Sequence, residues 1–258
     1  MTETQQEKNS SETAEATTEQ VHVVLVPGFW LGAWAWDDVV PHLEAAGLVP
    51  HAVTLPGLDP ASTPQDRAAI TRDDHVEAVA GLVTGLDGPV VLVGHSGGGP
   101  VVQQVVDRDP ARFRRVVYVD AGPLVDGAAL NSALPDDAAE VPLPSWDELA
   151  EQGSSVDGLD DAALARFRER AVPTPGPVAR GPVRVSNPDR LGVPATVVCS
   201  SIPSEVLAQL ANPGPPLHTE LGEIHDVTYV DVPTGHWPMF SRPRDLAEAI
   251  VAASRRNS

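Results

Sequence analysis

The sequence predicts an α/β fold in which a mostly parallel central sheet is flanked by helices and carries a short inserted lid. Three observations predict it. Short Val-rich runs alternate with helical stretches, the pattern of a parallel sheet covered on both faces. Several of these runs stop at a chain-turning residue, as at Pro27-Gly28, Pro56-Gly57 and Gly94. The rhythm lapses between residues 122 and 191, where Pro, Asp, Gly and Ser dominate, and then resumes.

Residues 1–20 contain no Ile, Leu, Val or aromatic side chain and have five Glu against one Lys. Such a segment cannot bury enough apolar area to offset its ordering entropy, so a disordered tail is expected. It also lacks the apolar stretch of a secretory leader. The first strand is expected over Val21–Val26, followed by a helix from about Trp34 to Ala46 that ends at Gly47. A second strand is expected over His51–Leu55. A helix over Thr71–Leu86 follows, with Val76, Val79, Ala80 and Val83 on one face. Val90–Val93 reads as a strand buried on both sides, Pro100–Asp107 as helix and Val116–Val119 as another buried strand. Residues 21–121 and 192–258 then form one core, and 122–191 form the lid, with helical pieces near Ser145–Gln152 and Asp160–Ala171. Strands return at Ala195–Cys199 and Val227–Val232. A last amphipathic helix starts near Arg244, with Pro243 in its first turn, where proline is tolerated.

The chain has 36 acidic and 17 basic residues, a formal charge of −19. A surface this acidic repels phosphate backbones and anionic lipid, so neither a nucleic acid nor a membrane is an expected partner. The apolar runs are also too short to span a bilayer. Cys199 is the only cysteine, which rules out an intrachain disulfide and makes a reducing cytoplasm the expected compartment. It lies in the apolar run Ala195–Cys199 and reads as core filler. The expected state is a monomer or homodimer.

The strongest chemical signal is Gly94-His95-Ser96-Gly97-Gly98, between a buried strand and a helix. In that context G-x-S-x-G is a nucleophile elbow, with Ser96 as the nucleophile. A serine hydroxyl needs a base. His236 has the best setting, in Pro233-Thr234-Gly235-His236 beyond the last strand and before the last helix. His22, His42, His51, His75, His218 and His225 read as surface or capping residues. No group of them has metal-ligand spacing. The His95 ring is expected to pack under the elbow. A carboxylate must orient the base, and two stand at strand ends between serine and histidine. Asp120 closes Val116–Val119, and Glu205 follows Ser200-Ser201-Ile202-Pro203-Ser204. Asp120 is the first choice and Glu205 the alternative. The oxyanion donors are expected to be the Gly97 N–H and the Phe29 N–H of Pro27-Gly28-Phe29-Trp30. Trp34 and Trp36 read as core, and Trp30 as a pocket residue.

These residues resemble the α/β-hydrolase superfamily from Val21 to Ala253. The likeness is to its small esterase-like branch, which holds plant methylesterases, hydroxynitrile lyases and bacterial relatives. Val23–Trp36 resembles the first strand and oxyanion loop, Gly94–Gly98 the elbow and Gly235–His236 the base loop. The sequence departs at Pro27, where that group usually has His, and after Cys199, where Ile202 and Pro203 stand in the usual place of the acid. Haloalkane dehalogenases place their acid where Asp120 stands. Their nucleophile is Asp, as in epoxide hydrolases, and Ser96 argues against both reactions. The resemblance implies hydrolysis of a small carboxylic ester or lactone without cofactor or metal. Perhydrolysis can share the whole triad. Lyase relatives use a lysine beside the base, where this chain has Trp237. A ligand-binding protein that keeps the fold but has subdued catalysis is the reading outside enzymes.

Overall fold

The computed structural model describes residues 20–211 and 219–256. The expected tail, apart from Gln20, and His218 lie outside the described residues. Strand β1 (His22–Val26) leads through a 3-10 turn to α1 (Val40–Ala45), then to β2 (Val49–Ala52), α2 (Pro64–Ala69) and α3 (Arg72–Thr84). Then come β3 (Val90–His95), α4 (Gly99–Arg108) and β4 (Phe113–Val119). The insertion holds β5 (Glu140–Val141), α5 (Trp146–Glu151), α6 (Asp161–Arg170), β6 (Thr174–Pro175) and α7 (Gly176–Arg180). The core resumes with β7 (Ala195–Cys199), α8 (Ser204–Leu210), β8 (Val227–Asp231), α9 (Pro238–Ser241) and α10 (Pro243–Arg255).

Six strands make one sheet in the order β2-β1-β3-β4-β7-β8, and every neighbouring pair is parallel. Alternation along the strands builds two apolar layers. Val91 and Val93 join Trp36, Leu43, Leu246 and Ile250 beneath α1 and α10. Val90 and Leu92 face Val76, Val79, Val102 and Val105 of α3 and α4. Each such burial contributes about 1.5–3 kcal/mol, which is why these Val-rich runs are the most predictable part of the chain.

Three expectations need correction. The helix expected from Trp34 to Ala46 is a 3-10 turn (Ala33–Trp36) followed by α1, because Pro41 has no N–H and fits only in a helix's first turn. The strand expected over His51–Leu55 is β2, Val49–Ala52. Its register with β1, His22↔Val49, brings Pro50 into the edge strand, where a missing donor is tolerated. Beyond it, the Thr54 hydroxyl accepts the Ala33 N–H instead of extending the ladder. Nor is His75 a surface residue: it is 1% exposed, and its Nε2–H donates to the Pro56 carbonyl.

Helix α2 was not expected, although Thr63-Pro64 and Asp66 form a capping box that marks its start. In the insertion, β5 and β6 pair antiparallel apart from the main sheet. Phe167 of α6 is fully buried in the α1–α10 layer. Arg166 and Arg170 of α6 lie over Phe240 and Trp34 and pair with Asp38 and Asp37.

Candidate active site

The chain leaves β1 to build β2 on one side and returns to build β3 on the other. The carboxyl ends of β1 and β3 therefore face a topological switch point, where ligands bind in open α/β sheets. Ser96 stands there. Strand β3 is buried throughout, and Ser96 follows it at once with φ 48°, turning the chain into α4. Among the described residues, the non-glycine positive φ values belong to Trp30, Ser96 and Asp120. Each such conformation costs on the order of 1–3 kcal/mol, and strain of this kind gathers at functional sites. The N-terminus of α4 also favours negative charge beside Ser96.

The candidate base, His236, lies in the loop after β8. Ser96 Oγ–H donates to His236 Nε2 at 2.8 Å. The loop is fixed from two sides. The His236 N–H donates to the Ser155 carbonyl of the insertion at 2.7 Å, and the His95 Nε2–H donates to the His236 carbonyl at 2.8 Å. Gly235 is required here, because a Cβ would come within 2.4 Å of the Ser155 oxygen. Trp237 is buried and meets the His236 ring edge-on. His95 itself is fully buried, and that burial, with His236 beside it, pushes its imidazole pKa down.

The candidate acid, Asp120, lies just beyond the end of β4. His236 Nδ1–H donates to Asp120 Oδ2 at 2.5 Å. Asp120 Oδ1 accepts the Ser200 and Ser201 N–H groups at 3.2 and 2.9 Å, and Oδ2 also accepts the Ser201 hydroxyl at 2.6 Å. Burial alone would raise this carboxyl's pKa. The hydrogen bonds from His236 and Ser201 outweigh it and hold the group well below the usual carboxylate range. Glu205, the alternative, is exposed in the first turn of α8, and the His236 ring bonds to Asp120 and Ser96 instead. Ser201 escaped sequence reasoning, because a serine in a polar loop carries no signal until its partner is known.

The oxyanion loop lies against the elbow. The Phe29 ring comes within 2.5 Å of where a Gly97 Cβ would stand, so glycine is needed and the two expected donor residues are adjacent. Trp30 is turned toward the insertion. Its N–H donates to Thr174 Oγ1 at 2.9 Å and its indole N–H to the Val141 carbonyl at 3.0 Å. Trp36 is fully buried, and Trp34 stacks on Phe240.

The sequence pattern of the alpha/beta hydrolase family matches residues 23–249. The chain belongs to that family. Methylesterase 3 of Arabidopsis thaliana is 34% identical over 144 residues, which is 54% of this chain and 49% of that protein. A carbendazim hydrolyzing esterase of a Nocardioides strain is 37% identical over 120 residues, 43% of this chain and 46% of its own length. The chain thus spans about half the length of these curated relatives. Among solved structures, an extracellular alpha/beta-hydrolase from a Paenibacillus species superposes with a TM-score of 0.73 at 20% identity, over 92% of this chain and all of that one. A pyrethroid hydrolase from Sphingobium faniae gives 0.66 at 21% identity, over 91% and 98% of the two chains.

In this alpha/beta hydrolase a cavity of about 290 Å³ adjoins the base and the acid. His236 and Asp120 form part of its wall, whereas Ser96, Phe29, Trp30 and Gly97 do not. Among the described residues no cluster of His, Cys, Asp and Glu could hold a metal ion, and no helix is long and apolar enough to cross a membrane.

Proposed function

We propose that the chain is a serine hydrolase that cleaves a small carboxylic ester or lactone without a cofactor. The observation that carries this reading is the unbroken line Ser96 Oγ, His236 Nε2, His236 Nδ1, Asp120 Oδ2, with distances of 2.8 and 2.5 Å at its two hydrogen bonds. His236 takes the Ser96 proton as Oγ attacks the ester carbonyl, and Asp120 stabilises the imidazolium. The Phe29 and Gly97 N–H groups receive the oxyanion, each contributing about 3 kcal/mol to the transition state. The tetrahedral adduct then collapses: the carbon–oxygen bond to the alcohol breaks, and His236 gives its proton to the departing oxygen. Water, deprotonated by His236, frees the acid from Ser96. The names of the methylesterase and carbendazim esterase relatives support ester cleavage. The segment 122–191 acts as a lid that shapes the substrate site, with Trp30 at its junction with the oxyanion loop. The sole cysteine suits a reducing compartment such as the cytoplasm.

The test is Ser96→Ala with p-nitrophenyl acetate as substrate. Turnover should fall to what the oxyanion hole and binding supply without a nucleophile, a loss on the order of 10⁴ or more. Unchanged turnover would remove Ser96 from the mechanism.

A further inference from the structure

Taken with the hydrolase reading above, the cavity beside His236 says which half of the ester it receives. The sheet order puts β1 on one side of β3, and β4, β7 and β8 on the other. The proposed oxyanion donors approach Ser96 from the β1 side and the base from the β8 side. In the tetrahedral adduct the charged oxygen therefore points to the β1 loop. The oxygen that takes the electron pair of the breaking bond must lie within reach of the proton on His236 Nε2. Whatever is attached to that oxygen would extend past His236, on the side of the sheet where the cavity lies. Its walls include Leu124, Cys199, Ile202 and Leu221 besides His236 and Asp120, and none of the oxyanion residues.

We propose that this cavity is the subsite for the alcohol half of the substrate, and that it takes a neutral, apolar alcohol much larger than methanol. Two of its polar lining side chains already have partners. The Thr219 hydroxyl donates to the Pro123 carbonyl at 2.7 Å, and the Ser201 hydroxyl to Asp120. Burial pushes the Cys199 thiol up to about 12, so that wall is uncharged at neutral pH. Among the described lining residues Asp120 carries the negative charge, and a chain of formal charge −19 adds to the repulsion of an anionic alcohol. The volume, about 290 Å³, is near the small end of ligand sites and suits a benzyl or hexyl group. The subsite exists because the acid is delivered from β4, which leaves the β7 loop free to form a wall with Ile202.

The experiment uses acetate esters of alcohols of similar acidity, from ethyl through butyl and hexyl to benzyl. They are compared with ethyl esters in which the acyl chain is lengthened by the same steps. With the purified protein, kcat/KM should rise about tenfold or more from ethyl to hexyl or benzyl acetate, and less along the acyl series. In Ile202→Trp, a change at an exposed cavity residue, the benzyl-to-ethyl ratio should fall about tenfold. A preference that follows acyl length and ignores the alcohol overturns the subsite while leaving the hydrolase reading intact. An equal loss on every ester in Ile202→Trp overturns it too. Failure to cleave any ester, with no labelling of Ser96 by a fluorophosphonate, rejects the hydrolase reading itself.

Discussion

Two neighbouring loops at the same rim of the sheet make opposite contributions to the candidate site. The loop after β4 supplies a carboxylate, Asp120. The loop after β7 supplies hydrogen-bond donors, the Ser200 and Ser201 N–H groups and the Ser201 hydroxyl. The strands pair directly, with Val119 opposite Val198, so residues one or two beyond their ends reach the same spot beside His236 Nδ1. The base requires a carboxylate at a point in space, fixed by donors, and the ends of both strands lie beside that point. The loop that lacks the charge becomes the cradle for the one that has it.

The largest effect should come from Asp120→Asn. Its amide cannot stabilise the imidazolium, and ester hydrolysis should fall by about 10⁴. If the two loops are interchangeable in space, adding Ser201→Asp to that variant should recover about tenfold of the lost rate, because Ser201 Oγ lies 2.6 Å from the oxygen that His236 uses. A double variant no better than Asp120→Asn would break the comparison and tie the acid role to β4. Ser201→Ala alone keeps the carboxylate and removes one charge-assisted hydrogen bond. Its expected cost is about tenfold in kcat with little change in KM, and an altered pH profile, since the donor acts on the group that orients the base. Glu205→Gln should stay within about twofold of wild type, as expected of an exposed side chain that does not touch His236.

Stability against pH sharpens the contrast between buried and cradled groups. Burial pushes the His75 pKa down to about 4, and His95 is lowered too. A depressed folded pKa means that the unfolded chain binds the proton more readily. Stability is then complete above the unfolded value of about 6.5 and is lost as pH falls toward 4. The Asp120 carboxyl is also depressed, and its contribution is lost only below the ordinary Asp range. Thermal melts should therefore drop between pH 7 and 5, and His75→Gln should flatten that drop. Equal melting temperatures across this interval in wild type would contradict the burial account.

Legibility in the sequence followed physical locality. The β3 run and its glycines declare the bend at Ser96, since both the burial and the close approach are written into adjacent residues. The loop holding His236 was readable because Gly-His follows the last strand. The lack of an acid in the usual place after Cys199, where Ile202 and Pro203 stand, pointed to Asp120 ahead of Glu205, but its partners at Ser200 and Ser201 lie 80 and 81 residues away and left no local pattern. The two clamps on the His236 backbone, from Ser155 and His95, were invisible for the same reason. The break at Pro41 and the capping box at Thr63 were legible signals that a reading by apolar periodicity alone passes over.

The measurement that bears most directly on the account is the labelling rate of Ser96 by a fluorophosphonate, followed by mass spectrometry of the modified peptide, in wild type and in Asp120→Asn. A serine activated through His236 and oriented by Asp120 should label at Ser96 alone, and on the order of 10³ or more slower in the variant. Labelling at another residue, or equal rates in the two proteins, would contradict it.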